Sequence, residues 1–223
     1  MVRAVLFDCD GILLDSMNSW HSLEAHLASR ANITVRKKTP LPANQMDMLN
    51  KNTLRQTVQY FYTEYRIENR FETLYDYAYS YLLKQYQNNI SVRKGILSVI
   101  KKLKSKGILL YVASSSPRAF IETGLQSNNL LAYFEGCFSA EDLNKSKQDT
   151  DFYRFISSSL QIAPNQLCLI DDSAYALAVA RIVGMRTIGV HDTNIASTFE
   201  MLHSCADFAI QGFSQLNYSW FEN

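Results

Sequence analysis

The spacing of apolar residues changes character along the chain. Val5-Leu6-Phe7 form an apolar run that stops at Asp8, with Gly11 close behind, which predicts a buried strand opening into a turn. From Ser16 the period becomes helical. Trp20, Leu23 and Leu27 recur at helical spacing, with Ser16 as the expected N-cap, and Pro40 and Pro42 then interrupt the pattern. A helix is predicted over 52–65, where Leu54, Val58, Phe61, Tyr62 and Tyr65 share a face. Another is predicted over 71–86, with Leu74, Tyr75, Ala78, Leu82 and Tyr86. No strand pattern falls between Ser16 and Asn89.

From Val92 strand and helix patterns alternate. Ile96, Val99, Ile100 and Leu103 mark a helix that ends at a C-cap glycine, Gly107. A strand over 108–113 runs into Ser114-Ser115-Ser116-Pro117, and Pro117 is expected at the first position of a helix through Ile121 and Leu125. Cys137-Phe138-Ser139 reads as a short strand. A polar loop over 144–150 leads to a helix through Tyr153, Ile156 and Leu160. Strands are predicted over 167–170, 186–190 and 208–210, and helices over 174–183, stopped by Gly184, and 195–204. Strands spaced by helices imply a parallel sheet covered on both faces. The expected fold is α/β, with a Rossmann-like three-layer core over 1–15 and 90–223. A small α-helical domain over 16–89 is inserted after the first strand.

The insert is rich in tyrosine. Interleaved aromatic rings can stack nucleobases, but basic residues do not flank these densely, so packing between helices is the expected role. The net charge of +1 argues against a nucleic-acid partner held by bulk electrostatics. The densest basic run, Arg36-Lys37-Lys38, reads as a solvated loop. With 47% hydrophobic and 19% charged residues the chain is expected to be globular and soluble, with no membrane partner, and a monomer or weak homo-oligomer. The first apolar segment runs directly into Asp8, unlike a signal peptide. Cys9, Cys137, Cys168 and Cys205 are far apart and show no metal spacing, which fits reduced thiols in a cytoplasmic protein.

The candidate chemistry lies at strand ends. Asp8 and Asp10, two apart on an extended chain, point the same way at the C-terminal end of the first strand, the edge where open α/β sheets bind ligands. Ser114, Asp171 and Asp172 end two further core strands, and Lys147 lies on the polar loop. Four gathered carboxylates repel unless a cation joins them, and hard oxygen ligands suit Mg²⁺. Ser114 beside free N–H groups at a helix start suits a phosphate oxygen, and Lys147 would neutralise phosphate and nucleophile. The set reads as Mg²⁺-assisted phosphoryl transfer through an aspartyl phosphate.

Four motifs carry a family resemblance. They are Phe7-Asp8-Cys9-Asp10-Gly11 through Asp15-Ser16, Val112-Ala113-Ser114 through Arg118, Ser146-Lys147 through Tyr153, and Leu169-Ile170-Asp171-Asp172-Ser173 with Gly184 beyond. In order and at these spacings they resemble the haloacid dehalogenase superfamily, in its β-phosphoglucomutase-like branch of phosphatases and phosphomutases. The resemblance runs to about Val190 and implies that the helical insert is a cap domain. It implies that Asp8 attacks phosphorus and ligates Mg²⁺. Asp10 would protonate the leaving oxygen, activate the incoming one and lend its carbonyl to the metal. Ser114, with Ser115 beside it, and Lys147 would hold the phosphate; Asp171 and Asp172 would anchor the metal directly or through water.

The sequence departs from the family in places. Gln148 and Thr150 stand where the third motif has prolines, which predicts a looser loop, and Lys145 offers an alternative register for the motif lysine. Ala176 replaces a helix-start glycine. In this branch a histidine just past the first motif can help gate substrate binding; His21 and Trp20 both lie near that position. The expected function is hydrolysis of a small phosphorylated metabolite, such as a sugar phosphate. The alternatives are a phosphomutase, for which Lys51 and Arg55 are the candidate second-phosphate clamps, and a non-catalytic binding relative.

Overall fold

The computed structural model describes residues 1–30, 52–67, 70–192 and 197–222. Six parallel strands make one sheet: β1 (Ala4–Phe7), β2 (Leu109–Ser114), β3 (Gly136–Ser139), β4 (Leu167–Asp171), β5 (Arg186–Val190) and β6 (Phe208–Ile210). Their order is β3-β2-β1-β4-β5-β6, so β1 is central, and the order reverses direction beside it. Phe7 pairs with Val112 of β2 on one side and Ile170 of β4 on the other. The ends of those three strands are therefore level, and a parallel sheet presents all of them at one edge.

Alternation along the strands divides the core in two. Val5 and Phe7 of β1, with Cys168 and Ile170 of β4, face one side; Ala4, Leu6, Leu167 and Leu169 face the other. The first side is covered by α4 (Ile96–Ser105) and α5 (Arg118–Ser127). The second is covered by α6 (Thr150–Leu160), α7 (Ala174–Val183) and α8 (Phe199–Cys205). The layers match the expected three-layer α/β core. All four cysteines are free, three of them buried. Among the described residues no helix is long and apolar enough to cross a membrane.

Between β1 and α4 come α1 (Met17–Ser29), α2 (Leu54–Glu64) and α3 (Phe71–Asn88). A capping box starts α2: Thr53 Oγ1 accepts from Gln56 N, and Gln56 Oε1 accepts from Thr53 N. Leu23 and Leu27, Val58 and Phe61, and Leu74, Ala78, Leu82 and Tyr86 bury the three inner faces against one another. Tyr79 and Tyr86 of α3 stack on Phe120 of α5, with ring centroids 4.8 and 5.2 Å away. Gly124 permits this approach: a Cβ there would lie 2.5 Å from Leu14 Cδ1 and 2.9 Å from the Tyr86 ring. The tyrosines thus pack between helices, as expected.

Local expectations fail where a side chain has another partner. Ser16 stands at the N-cap of α1 as expected, but its side chain makes no capping bond, because its hydroxyl donates to Asp10 instead. Pro117 is the N-cap of α5 in extended conformation rather than its first helical residue. The last helix starts only at Phe199, capped by Thr198, whose side chain accepts from Met201 N. The earlier start predicted at Ile195, and the basic loop Arg36-Lys37-Lys38, lie outside the described residues, as does Lys51.

Candidate active site

The end of β1 puts Asp8 in the middle of the sheet edge. Its amide donates to Ile170 O at 2.9 Å, and its Oδ1 accepts from Cys9 N at 2.8 Å. The other carboxylate oxygen, Oδ2, lies 3.0 Å from Lys147 Nζ, which also stands 2.6 Å from Asp171 Oδ2. Lys147 is buried, so this ammonium sits in a dry site between two acids. Lys145 does not compete for the position; its ammonium lies 5.5 Å from the centre of the Phe155 ring. Despite Gln148 and Thr150, the loop is ordered at its end by Asp149, which caps α6 through Asp151 N.

Asp171 and Asp172 follow from the end of β4. Asp171 Oδ1 accepts from Ser173 N at 2.8 Å, and Asp172 Oδ1 accepts from Ser173 Oγ at 3.2 Å. Asp172 Oδ2 is buried and has no hydrogen-bond partner. Side-chain oxygens of Asp8, Asp171 and Asp172 lie within 4.8 Å of one another, all in buried residues. Gly11 lies against them with φ +78°, and a Cβ there would fall 2.1 Å from Asp172 Oδ2. Only a residue without a side chain gives the carboxylate that room.

Burial dominates the electrostatics of this group. It pushes the Asp8 carboxyl up to about 7, opposed by Lys147 and reinforced by the charges of Asp171 and Asp10. It also pushes Asp172 well above the usual carboxylate range, with Asp171 and Asp8 adding to the effect. Burial alone would lower the Lys147 ammonium, but Asp171 and Asp8 overcome it and hold the group well above its ordinary value. Three buried acids share one cation, too little to hold all of them ionised, and Asp172 Oδ2 lacks a partner. An all-oxygen donor set in this state fits a hard divalent cation.

Asp10 stands apart from that cluster. Its Oδ1 accepts from Ser16 Oγ at 2.5 Å and from the Tyr86 hydroxyl, and its Oδ2 accepts from Ser116 Oγ at 2.6 Å. Trp20 Nε1 donates in turn to the Tyr86 oxygen at 2.9 Å. Ser114 is buried at the end of β2, its Oγ accepting from Ser116 N at 3.1 Å, and Ser115 is partly exposed beside it. Asp8, Asp10, Ser114, Ser115, Lys147 and Asp172 all line one cleft. Met17, Trp20, Glu24 and Asn52 line it from the insert.

The structure therefore brings together every expected site residue. Asp171 enters through its ion pair with Lys147 rather than by facing the cleft. Arg118 turns away, bonding Cys137 O and Glu122. Of the two residues considered near the gate position, Trp20 faces the cleft. His21 does not; its buried Nε2 has no partner, and burial lowers its pKa. Sequence reasoning missed the three hydroxyls around Asp10, and Glu24. Ser116 lay inside a recognised motif, but nothing in the periodicity marked Tyr86 as more than a core ring.

Known proteins resemble this chain along most of its length. The family model described as haloacid dehalogenase-like hydrolase matches residues 5–190. Hexitol phosphatase B of Escherichia coli K12 is 24% identical over 194 residues, covering 85% of this chain and 83% of that protein. (S)-2-haloacid dehalogenase 4A of Burkholderia cepacia is 24% identical over 209 residues, covering 85% and 83%. The crystal structure of CbbY from Rhodobacter sphaeroides in complex with phosphate superposes over the whole of both chains with a TM-score of 0.81 at 17% identity, which shows a shared fold.

Proposed function

This chain belongs to the haloacid dehalogenase-like hydrolases, and we propose that it is a Mg²⁺-dependent phosphatase of a small phosphorylated metabolite, such as a sugar phosphate. One observation carries the reading: the buried Asp8–Lys147–Asp171 chain beside Asp172, with Asp10 held next to it by three hydroxyls. Hexitol phosphatase B, whose name states a phosphatase, is among its relatives.

In the proposed reaction Ser114, Ser115 and Lys147 bind the phosphate of the ester. An Asp8 oxygen attacks phosphorus and the bond to the ester oxygen breaks. Asp10 delivers its proton to that departing oxygen, and the alcohol leaves. Asp10, now a carboxylate, takes a proton from a water molecule as that water attacks the aspartyl phosphate. Inorganic phosphate leaves and the Asp8 carboxylate is restored. Asp8, Asp171, Asp172 and the Asp10 carbonyl would hold Mg²⁺, which when bound would offset the phosphoryl charge. Lys147 keeps Asp8 oriented and offsets part of its charge.

Two relatives by name suggest two chemistries, ester hydrolysis and dehalogenation. A halide leaves as a stable anion and takes no proton, whereas an alkoxide needs one. Asp10 is positioned by Ser16, Ser116 and Tyr86 in the same cleft as Asp8, where a carboxyl group can give that proton, which favours the oxygen leaving group. We also propose that the 16–89 insert acts as a cap, since its residues line the cleft and can exclude water. Hydrolysis ranks above a mutase because Arg55, one candidate clamp for a second phosphate, is not among the cleft-lining residues and lies against Glu72 and the Phe71 and Tyr75 rings.

The test is phosphate release from an aryl phosphate, with and without Mg²⁺, in the wild type and in Asp8→Asn. Metal-dependent release that Asp8→Asn abolishes supports the reading. No metal-dependent activity on a broad panel of phosphate esters refutes it. Isomerisation of a hexose 1-phosphate primed by a bisphosphate would make the mutase reading the better one.

A further inference from the structure

Glu24 has no role in the reaction above, yet it occupies an expensive position. It lies on α1, lines the same cleft as Asp8 and Lys147, and is only 5% exposed. It makes no hydrogen bond or ion pair with any described residue. Burial pushes its carboxyl up to about 7. A carboxyl this enclosed is poorly hydrated unless a group reaching it from the cleft pairs with it. The helix does not need it for packing, because Leu23 and Leu27 supply the inner face. A group kept at such a cost on the wall of a cleft is explained by a ligand that supplies the missing partner.

The charges around it narrow what that ligand is. Among the described cleft-lining residues Lys147 is the only cation, and its ammonium is already shared by Asp8 and Asp171. It serves the phosphate end. Toward the insert the described lining is Glu24, Asn52, Met17 and the Trp20 ring, whose orientation is fixed by its bond to Tyr86. Apolar surfaces with two polar side chains suit a compact body with C–H faces and hydrogen-bond donors.

We infer that Glu24 is a specificity-determining residue: its carboxyl group receives a hydroxyl or ammonium donor on the non-phosphate part of the substrate and disfavours substrates with a second anionic group. The inference rests on the phosphatase reading and goes beyond it by naming which monoesters the cleft takes. Donors on the substrate complete the carboxyl's hydrogen bonds. A carboxylate or second phosphate in the same place meets like charge, with no described cation to offset it.

The experiment compares kcat/KM for a hexitol monophosphate, an aminosugar monophosphate, phosphoglycolate, a hexose bisphosphate and an aryl phosphate. The wild type is expected to prefer one or both of the first two over phosphoglycolate and the bisphosphate by about tenfold or more. Which of the two it prefers tells hydroxyl from ammonium. Glu24→Leu is expected to lower the preferred-to-aryl ratio by about tenfold while raising the unfolding temperature, because it replaces a poorly hydrated carboxyl with an apolar side chain. Glu24→Lys should shift preference toward phosphoglycolate. A wild type that favours the doubly anionic substrates overturns the inference. So does Glu24→Leu with an unchanged ratio, or with all substrates and stability lowered together. If the wild type releases phosphate from none of the five esters, the phosphatase reading itself fails, a result the other arms do not produce.

Discussion

The hydroxyl of Tyr86, on the last helix of the insert, donates a hydrogen bond to the Asp10 carboxylate at the end of the central strand, 76 residues away in sequence. Tyr86 is fully buried, with its ring on Phe120 and its oxygen also receiving Trp20 Nε1. A phenol thus joins the last helix of the insert to the proposed acid/base. Tyr86→Phe keeps the ring and removes the link. Its kcat on a phosphate monoester is expected to fall about tenfold, the value of one hydrogen bond to a charged group. Steady-state kinetics at saturating substrate measures this, and an unchanged kcat would show that Ser16 and Ser116 suffice.

Lys147 neutralises two buried acids at once. Lys147→Met leaves them facing each other, and removal of one partner from a buried ion pair costs about 3–5 kcal/mol. A lowered denaturant midpoint is expected, together with a loss of activity on the order of a hundredfold. Lys145→Ala should leave both unchanged. Equal losses in the two variants would contradict the assignment of the lysine.

Without a cation, stability should fall as pH rises. The folded-state pKa of Asp8 is raised to about 7 from 3.8, and that of Asp172 is raised too. A group raised on folding contributes its full stability below its unfolded value and loses it as pH rises through its folded value. The metal-free protein is therefore expected to lose melting temperature between about pH 4 and pH 7 on account of Asp8, with Asp172 adding a loss of the same sign. Added Mg²⁺ binds the ionised forms, so its stabilising effect should grow over the same range. Thermal melts in chelator and in Mg²⁺ across that range check both signs.

Gly11 combines a left-handed backbone with the closest approach to the acidic cluster. Gly11→Ala strains the turn and drives a methyl group into Asp172 Oδ2. A stability loss of about 1–3 kcal/mol is expected. Mg²⁺ affinity should weaken as well, since the displaced carboxylate is one of the proposed ligands. Calorimetric titration with Mg²⁺ reads the second effect separately from the first.

Much of this was legible because it is local. The apolar runs ending at Asp8, Ser114 and Asp171 announce strands and their functional edge in a few residues each. Lys147 rather than Lys145 was not decidable that way. The two lysines are two apart on a loop, and only the fold turns one inward and sets the other near Phe155. Ser16 holds the N-cap position, but local rules do not see Asp10 competing for its hydroxyl. Tyr86 and Glu24 were invisible for the opposite reasons. A buried tyrosine at helical spacing looks like core, and a glutamate looks like surface, until the insert folds both toward the cleft.

The central claim is that Asp8 carries the phosphoryl group. Borohydride reduces an acyl phosphate to the alcohol, which would turn a phosphorylated aspartate into homoserine. The protein is to be quenched with borohydride during turnover of an aryl phosphate in Mg²⁺, digested and sequenced by mass spectrometry. The account predicts homoserine at position 8, absent without substrate or Mg²⁺ and absent in Asp8→Asn. Sustained turnover with the label at another residue, or with none, would contradict it.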